Sequence, residues 1–185
     1  YSRTRESEDG ETTDDETYLH TRLIHNHRST LADEYFIQYE HAPFDGLKRR
    51  FLQGAGLRWH SWNQPKTSDL QSSGHAYQGI GVFHEQVREV DLGETLVEKN
   101  YRANLYSHWI YQYSGERAIS TSATLYLQPN LADSDDIKAL FQALLTLPIT
   151  ENLHLQWQWQ SKWDSRPPSE TAKRVHETTM VVEYS

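Results

Sequence analysis

The chain has 185 residues, a formal net charge of -8, 36% hydrophobic residues and a mean hydropathy of -0.82. No run of about 18 apolar residues occurs, which excludes a membrane-spanning helix, and the negative charge argues against a nucleic-acid partner, because phosphate binding needs clustered Lys and Arg. The absence of cysteine excludes disulfides and thiolate metal sites. Six Trp, eleven Tyr and five Phe are too many for a disordered chain, so we expect one folded domain over residues 1–185.

Alternation of apolar and polar residues with a period of two recurs along the chain and predicts β-strands, because successive strand side chains point to opposite faces. In chain order the predicted strands cover residues 17–28, 32–41, 51–61, 75–87, 101–113, 119–127, 137–149 and 153–163, with a last strand closing the chain and the end of a further strand at residues 1–7. Between residues 137 and 149 a helix is the alternative, since Leu140 and Leu144 fall on the polar side. These lengths suit tilted strands that cross a bilayer, which need about 9–11 residues, better than globular strands of about 5–6.

The clearest alternation lies between residues 153 and 163, where Leu and Trp occupy one face and His, Gln and Lys the other. A membrane barrel turns the apolar face to lipid, whereas a soluble barrel turns it inward. Three features favour the membrane barrel: the strand lengths, a set of longer connections, and aromatic residues near the predicted strand ends. These aromatic residues are Trp59, Tyr101, Trp109, Tyr111, Trp163 and Tyr184.

The predicted connections alternate between short and long, as in outer-membrane barrels with short periplasmic turns and longer external loops. Short connections are expected at 28–30, 114–117 and 150–151, and long ones at 8–16, 42–48, 88–99, 128–136 and 164–171; the long segment 63–73 breaks the alternation. The sequence therefore predicts an antiparallel up-and-down transmembrane β-barrel of about ten strands, with twelve as the alternative, in a bacterial outer membrane. We also expect the natural chain to continue beyond Ser185, with Phe next, and upstream of Tyr1.

The alternation assigns individual residues to the two faces of the predicted barrel. The expected lumen-lining residues are Arg22, Glu34, Glu40, Arg58, His60, Arg102, His108, His154, Lys162, Glu177 and Glu183. The expected lipid-facing residues are Leu57, Trp59, Leu105, Trp109, Leu153, Leu155, Trp157, Trp159, Trp163, Met180, Val182 and Tyr184. In a narrow barrel the inward charges are expected to pair with one another, and glycines at 54, 56, 79 and 81 leave room for large neighbours or mark sharp bends.

Several short motifs also resemble a known family. They are Phe44-Asp45-Gly46-Leu47, Arg50, Gly54-Ala55-Gly56-Leu57, the segment 147–153, Pro167-Pro168 and the closing Val182-Glu183-Tyr184-Ser185. From about Thr17 to its end the chain resembles a domain-of-unknown-function family that includes salt-induced outer-membrane proteins of Gram-negative bacteria. The resemblance implies an outer-membrane barrel and no particular activity. The chain departs from the family at Arg58, where a third Gly is frequent, and in lacking a final Phe.

Three functions fit such a barrel: a non-enzymatic structural, envelope-stress or assembly role, a narrow pore for small solutes or ions, and a lipid hydrolase. We favour the first, and expect no cofactor, catalytic residue or metal. Two alternatives remain. His25 and His27 could bind zinc together with a third ligand, and Ser61 could pair with His84 as the nucleophile and base of a lipid hydrolase. The expected partners are outer-membrane lipid and lipopolysaccharide, with a protein partner at the external loops or in an envelope assembly.

Overall fold

A computed structural model describes residues 2–8, 11–27, 30–42, 47–66, 71–91, 94–115, 118–150, 152–167 and 172–184. All regular secondary structure in these ranges is β-strand, so the all-β prediction is confirmed. By length and hydropathy, none of the described segments forms a helix able to cross a membrane. The predicted turns at 28–29, 116–117 and 151, and parts of the predicted loops at 43–46 and 168–171, lie outside the described residues, as do Phe44, Asp45 and Gly46 of the family motif.

The described residues form ten strands in one antiparallel sheet, in which every strand pairs with its neighbours along the chain. The strands are β1 (Ser2–Glu8), β2 (Glu11–Asn26), β3 (Leu31–Ala42), β4 (Leu47–Gln64), β5 (Ser72–Asp91), β6 (Glu94–Ser114), β7 (Ala118–Pro129), β8 (Ile137–Pro148), β9 (Leu153–Asp164) and β10 (Arg174–Tyr184). This is the predicted up-and-down order. Residues 137–148 are a strand and not a helix, with Leu140 and Leu144 on the polar face as the alternation requires.

The sheet is strongly curled. Strands β2 and β7 are five positions apart, which would separate them by about 24 Å in a flat sheet. Arg22 on β2 nevertheless places its Nη2 3.5 Å from the Tyr126 hydroxyl on β7, and Lys138 on β8 lies 3.7 Å from Glu85 on β5. The curl therefore creates a concave face on which distant strands meet, while β1 and β10 remain the two edges of the described sheet.

Two of the predicted long connections are wrong. Strand β2 already begins at Glu11, β5 continues to Asp91 and β6 begins at Glu94. The predicted loops 8–16 and 88–99 are therefore mostly strand. These segments are rich in acidic residues, but charge does not stop a backbone from pairing, and Val90 still lies opposite Thr95 in the ladder. Because β6 starts so early, Tyr101 lies inside the strand and not near its end.

The core lies within the curl, and it is unusually polar. Among the described residues, buried Leu52, Phe83 and Val87 are accompanied by Glu34, Glu85, Arg102 and Asn104, which are all less than 7% exposed. Buried charges are costly unless they are paired and hydrogen-bonded. The partners of these groups therefore decide what the concave face can do.

Candidate functional site

The register of the ladders sorts side chains into two faces, because directly opposite residues of an antiparallel pair lie on the same face. Arg22 lies opposite Phe36, two residues from Glu34, and the contact of Arg22 with Tyr126 marks this face as the concave one. The register places the whole predicted polar row there: Arg22, Glu34, Glu40, Arg58, His60, Arg102, His108, His154, Lys162, Glu177 and Glu183.

Glu85 is the centre of the largest group of charges on the concave face. Its side chain is fully buried, and Arg50 contacts one carboxylate oxygen through Nε and Nη2, both at 2.7 Å. Arg102 donates from Nε to the other oxygen at 2.6 Å, and Lys138 approaches the first at 3.7 Å. We call Glu85, Arg50, Arg102, Lys138 and Asp136 the Glu85 cluster. It connects β4, β5, β6 and β8 through one carboxylate.

The connection between β7 and β8 is fastened to this cluster. Arg102 Nη2 donates to Asp136 Oδ2 at 2.6 Å, and Asn130 Nδ2 donates to the same oxygen at 2.9 Å. Burial by itself would raise the pKa of Asp136, but the hydrogen bonds from Arg102 and Asn130, with the charges of Arg102 and Lys138, outweigh it and lower the pKa. Asp136 is therefore an inward ion-pair partner, although the sequence placed it in the predicted long connection 128–136.

A second group of charges surrounds Glu34. One oxygen of this buried carboxylate lies 3.5 Å from Arg58 Nη1 and 3.8 Å from Arg22 Nη1. The Arg58 guanidinium also lies 3.6 Å from the centre of the Tyr77 ring, and that of Arg22 lies 5.7 Å from the Tyr106 ring. We call Glu34, Arg22, Arg58, Tyr77 and Tyr106 the Glu34 cluster. Each cation therefore has both an anion and an aromatic face as neighbours.

Glycines make room for the large side chains of the concave face, as predicted. A Cβ at Gly79 would lie 2.0 Å from the Tyr106 ring, and one at Gly54 would lie 2.6 Å from Phe83 and from Phe36. Any larger residue at either position would displace an aromatic ring that fills the curl.

The concave face of β7–β10 is different. A cavity of about 270 Å³ lies there, lined mainly by hydroxyl and amide side chains. Gln142 donates to Gln160 at 2.7 Å, and Gln160 donates to Glu177 at 3.0 Å. The other polar lining residues are Ser122, Thr124, Gln158 and Thr179. Such groups suit hydrogen bonding to water or to a neutral polar solute.

The convex face carries the apolar row. The register places all the predicted apolar residues there: Leu57, Trp59, Leu105, Trp109, Leu153, Leu155, Trp157, Trp159, Trp163, Met180, Val182 and Tyr184. Many of them are exposed, with Trp157 and Trp159 each at 45% and Met180 at 70%. A water-soluble protein rarely exposes so large a continuous apolar surface.

The family model described as "Protein of unknown function, DUF481" matches residues 1–185. The chain belongs to the DUF481 family. The prediction of a domain-of-unknown-function family is thereby confirmed. Comparison with curated proteins gave no match, and neither did comparison with solved structures. Because DUF481 is described by its unknown function, membership assigns no activity, and a function has to be argued from the geometry.

The register of this DUF481 chain separates Ser61 from His84, the alternative hydrolase pair. His84 on β5 lies opposite Gln53 on β4, eight residues from Ser61 and so about 26 Å away along the strand. Ser61 instead accepts a hydrogen bond from Gln78 at 3.2 Å.

Within the described part of the DUF481 chain, one group of side chains has the composition of a metal site. His25 on β2, His27 directly after the end of β2 and Asp33 on β3 come together on the convex face, at the end of the hairpin that joins these strands.

The residues assigned to the polar face from the sequence did not include Glu85, Arg50 or Lys138, although the Glu85 cluster depends on them; Arg50 entered the sequence analysis only as part of a family motif. Glu85 lies in the least regular of the predicted strands, because its concave row contains Gly79, Gly81 and Phe83 and hides the polar side of the alternation. The alternation nevertheless indicated which way Glu85 faces, because it lies an even number of residues from Tyr77 and Phe83 and so shares their face of β5. Its three cationic partners come from other strands, and only the curl brings them together.

Proposed function

We propose that the chain is a β-barrel protein of the bacterial outer membrane with a non-enzymatic role, as a structural or envelope-stress protein or as a component of an envelope assembly. The observation that carries this proposal is an inverted distribution of side chains. Glu85 and Arg102 are 0% and 2% exposed on the concave face, while Met180 is 70% exposed on the convex face. Burying apolar surface away from water is favourable by about 25 cal/mol per Å², so lipid is the medium that suits this convex face.

A membrane location requires that the sheet close. In hydrocarbon every backbone N–H and C=O has to be paired within the protein, which excludes open strand edges. The described sheet has its edges at β1 and β10, and the curl that brings Arg22 on β2 to Tyr126 on β7 is the curvature that closure would continue. We propose that β1 and β10 pair to close a ten-stranded barrel, with a twelve-stranded barrel as the alternative.

The charged concave face would then be the barrel lumen, and its ion pairs favour a scaffold over a wide pore. The Glu85 and Glu34 clusters occupy the middle of this face with charges that already have partners. Lipid and lipopolysaccharide would contact the convex face, and any protein partner would meet the loops that follow β7 and β9. These loops are held together: Ser165 Oγ donates to the carbonyl of Asp135 at 2.8 Å, and Arg166 pairs with Asp133.

The proposal is tested by asking which medium surrounds the tryptophans. All six lie on the convex face: Trp59, Trp62, Trp109, Trp157, Trp159 and Trp163. We expect phospholipids with brominated acyl chains to quench the tryptophan emission of the protein folded into vesicles, and aqueous iodide to quench it weakly. A protein that stays in solution without detergent, with emission quenched by iodide and not by brominated lipid, would exclude the membrane barrel.

A narrow pore is the second candidate, because the polar cavity beside β7–β10 gives the lumen a part that ion pairs do not fill. Planar-bilayer recordings separate it from the scaffold role. Discrete current steps from the purified protein would support the pore, and their absence across a range of voltages would eliminate it.

A further inference from the structure

The convex end of the β2–β3 hairpin brings three potential metal ligands together. His25 lies near the end of β2, directly opposite Asp33 on β3, and His27 follows the last residue of β2, where its contact with Asp33 places its ring on the same face. The two imidazole rings lie 4.9 Å apart, centre to centre, and His27 Nε2 lies 2.5 Å from Asp33 Oδ2. One donor atom from each residue lies within 4.8 Å of the other two.

We propose that His25, His27 and Asp33 bind a divalent transition-metal ion of the zinc class. The ligand atoms of a tetrahedral zinc lie about 3.3 Å apart, because each is about 2.0–2.1 Å from the metal. Donors that lie up to 4.8 Å apart therefore need to close by at most about 1.5 Å, and the His27 and Asp33 donors, 2.5 Å apart, need to open by about 0.8 Å, which rotation of these side chains provides. The His27 and Asp33 side chains are 45% and 25% exposed, so water can reach the group and occupy a fourth position.

The ligand types select the metal. Calcium and magnesium prefer oxygen donors, whereas two imidazoles with one carboxylate suit zinc, nickel or copper. A simple ion pair would account for His27 and Asp33 but not for the convergence of His25 on them. The hairpin backbone is closed nearby by the His27 amide, which donates to the Leu31 carbonyl at 3.0 Å, so both strands hold their ligands at a fixed register. The site does not depend on the proposed membrane location.

Zinc binding to the purified full chain, folded in detergent micelles, tests the proposal. Competition with a chromophoric chelator should give one zinc ion per chain. His25→Gln, His27→Gln and Asp33→Asn should each weaken zinc binding at least about tenfold, because a three-ligand site cannot compensate for a lost ligand. His176→Gln removes a convex-face histidine from β10 and should leave the zinc affinity unchanged.

Cobalt(II) binding provides a second measurement, which does not need the variants. Cobalt(II) on the unaltered protein should show the visible absorption of a tetrahedral site, and zinc should remove it. Failure of the unaltered protein to bind zinc or to show this absorption would overturn the proposal. So would unchanged zinc affinity in whichever of the three variants keep the far-ultraviolet circular dichroism of the unaltered protein.

Discussion

The two halves of the concave face carry the same kind of ion pair in opposite surroundings. The Arg102–Glu85 pair of β5 and β6 has side chains 2% and 0% exposed, while the Lys162–Glu177 pair of β9 and β10 has side chains 55% and 53% exposed. Removing one partner of a buried pair costs about 3–5 kcal/mol, because a charge is left without compensation, whereas an exposed pair contributes about 0–1 kcal/mol. Position in the curl, more than residue type, therefore determines what each charge contributes.

The largest expected effect comes from Glu85→Ala. It would leave the buried Arg102 and the half-buried Arg50 without their shared anion, and we expect the free energy of unfolding to fall by about 3–5 kcal/mol. Urea titration of the protein in lipid vesicles measures this. A loss below about 1 kcal/mol would mean that water reaches the cluster and that the two halves do not differ as described.

Asp136→Asn should come next, with a loss of about 1.5–3 kcal/mol, because the hydrogen bonds of Arg102 and Asn130 lose their charged acceptor. The pKa of Asp136 is lower in the folded than in the unfolded chain, so its contribution to stability is present above the unfolded value of about 3.9 and is lost as pH falls through the folded value. Urea midpoints of both proteins should therefore converge below about pH 4. Parallel curves down to lower pH would contradict this.

Gly79→Ala tests how tightly the Tyr106 ring packs on the concave face of β5 and β6. The new Cβ would meet the Tyr106 ring at 2.0 Å, and we expect the resulting displacement to cost about 1–3 kcal/mol. Tyr106→Ala removes the obstacle, so Gly79→Ala should cost much less in that background. A double-mutant cycle of urea midpoints measures the coupling, and simple additivity of the two losses would refute the contact.

The smallest effect is expected for Glu177→Ala, which removes the exposed partner of Lys162. We expect a change of about 0–1 kcal/mol in the free energy of unfolding, reduced further by salt. It is also the matched control for Glu85→Ala. A loss comparable to that of Glu85→Ala would show that β9 and β10 are as enclosed as β5 and β6.

The assignment of residues to the two faces could be obtained from the sequence because it depends only on the strand period of two. The alternation from Leu153 to Trp163 therefore indicated which of these residues share a face. The strand ends were harder, since acidic residues such as Glu94 were taken as loop residues although they continue the ladder. Backbone pairing tolerates exposed charge, so composition alone does not end a strand.

The partners on the concave face could not be obtained in this way. Glu85 and Lys138 are on strands three positions apart, and their contact depends on how tightly the sheet curls. The sequence indicates that a residue faces inward, but the curvature decides which inward residues meet. The position of Asp33 opposite His25 could not be obtained from the alternation either, because it depends on the register of the β2–β3 hairpin.

Strand β6 begins well before the part of it that pairs with β7, and this determines which of its backbone amides can exchange with solvent. From Leu105 to Ser114 both edges of β6 are paired, whereas residues 94–100 pair only with β5 among the described residues. Successive amides of an antiparallel edge strand point alternately to the partner and away from it. Hydrogen–deuterium exchange should therefore be slow throughout the first segment and should alternate between slow and fast from one residue to the next along the second.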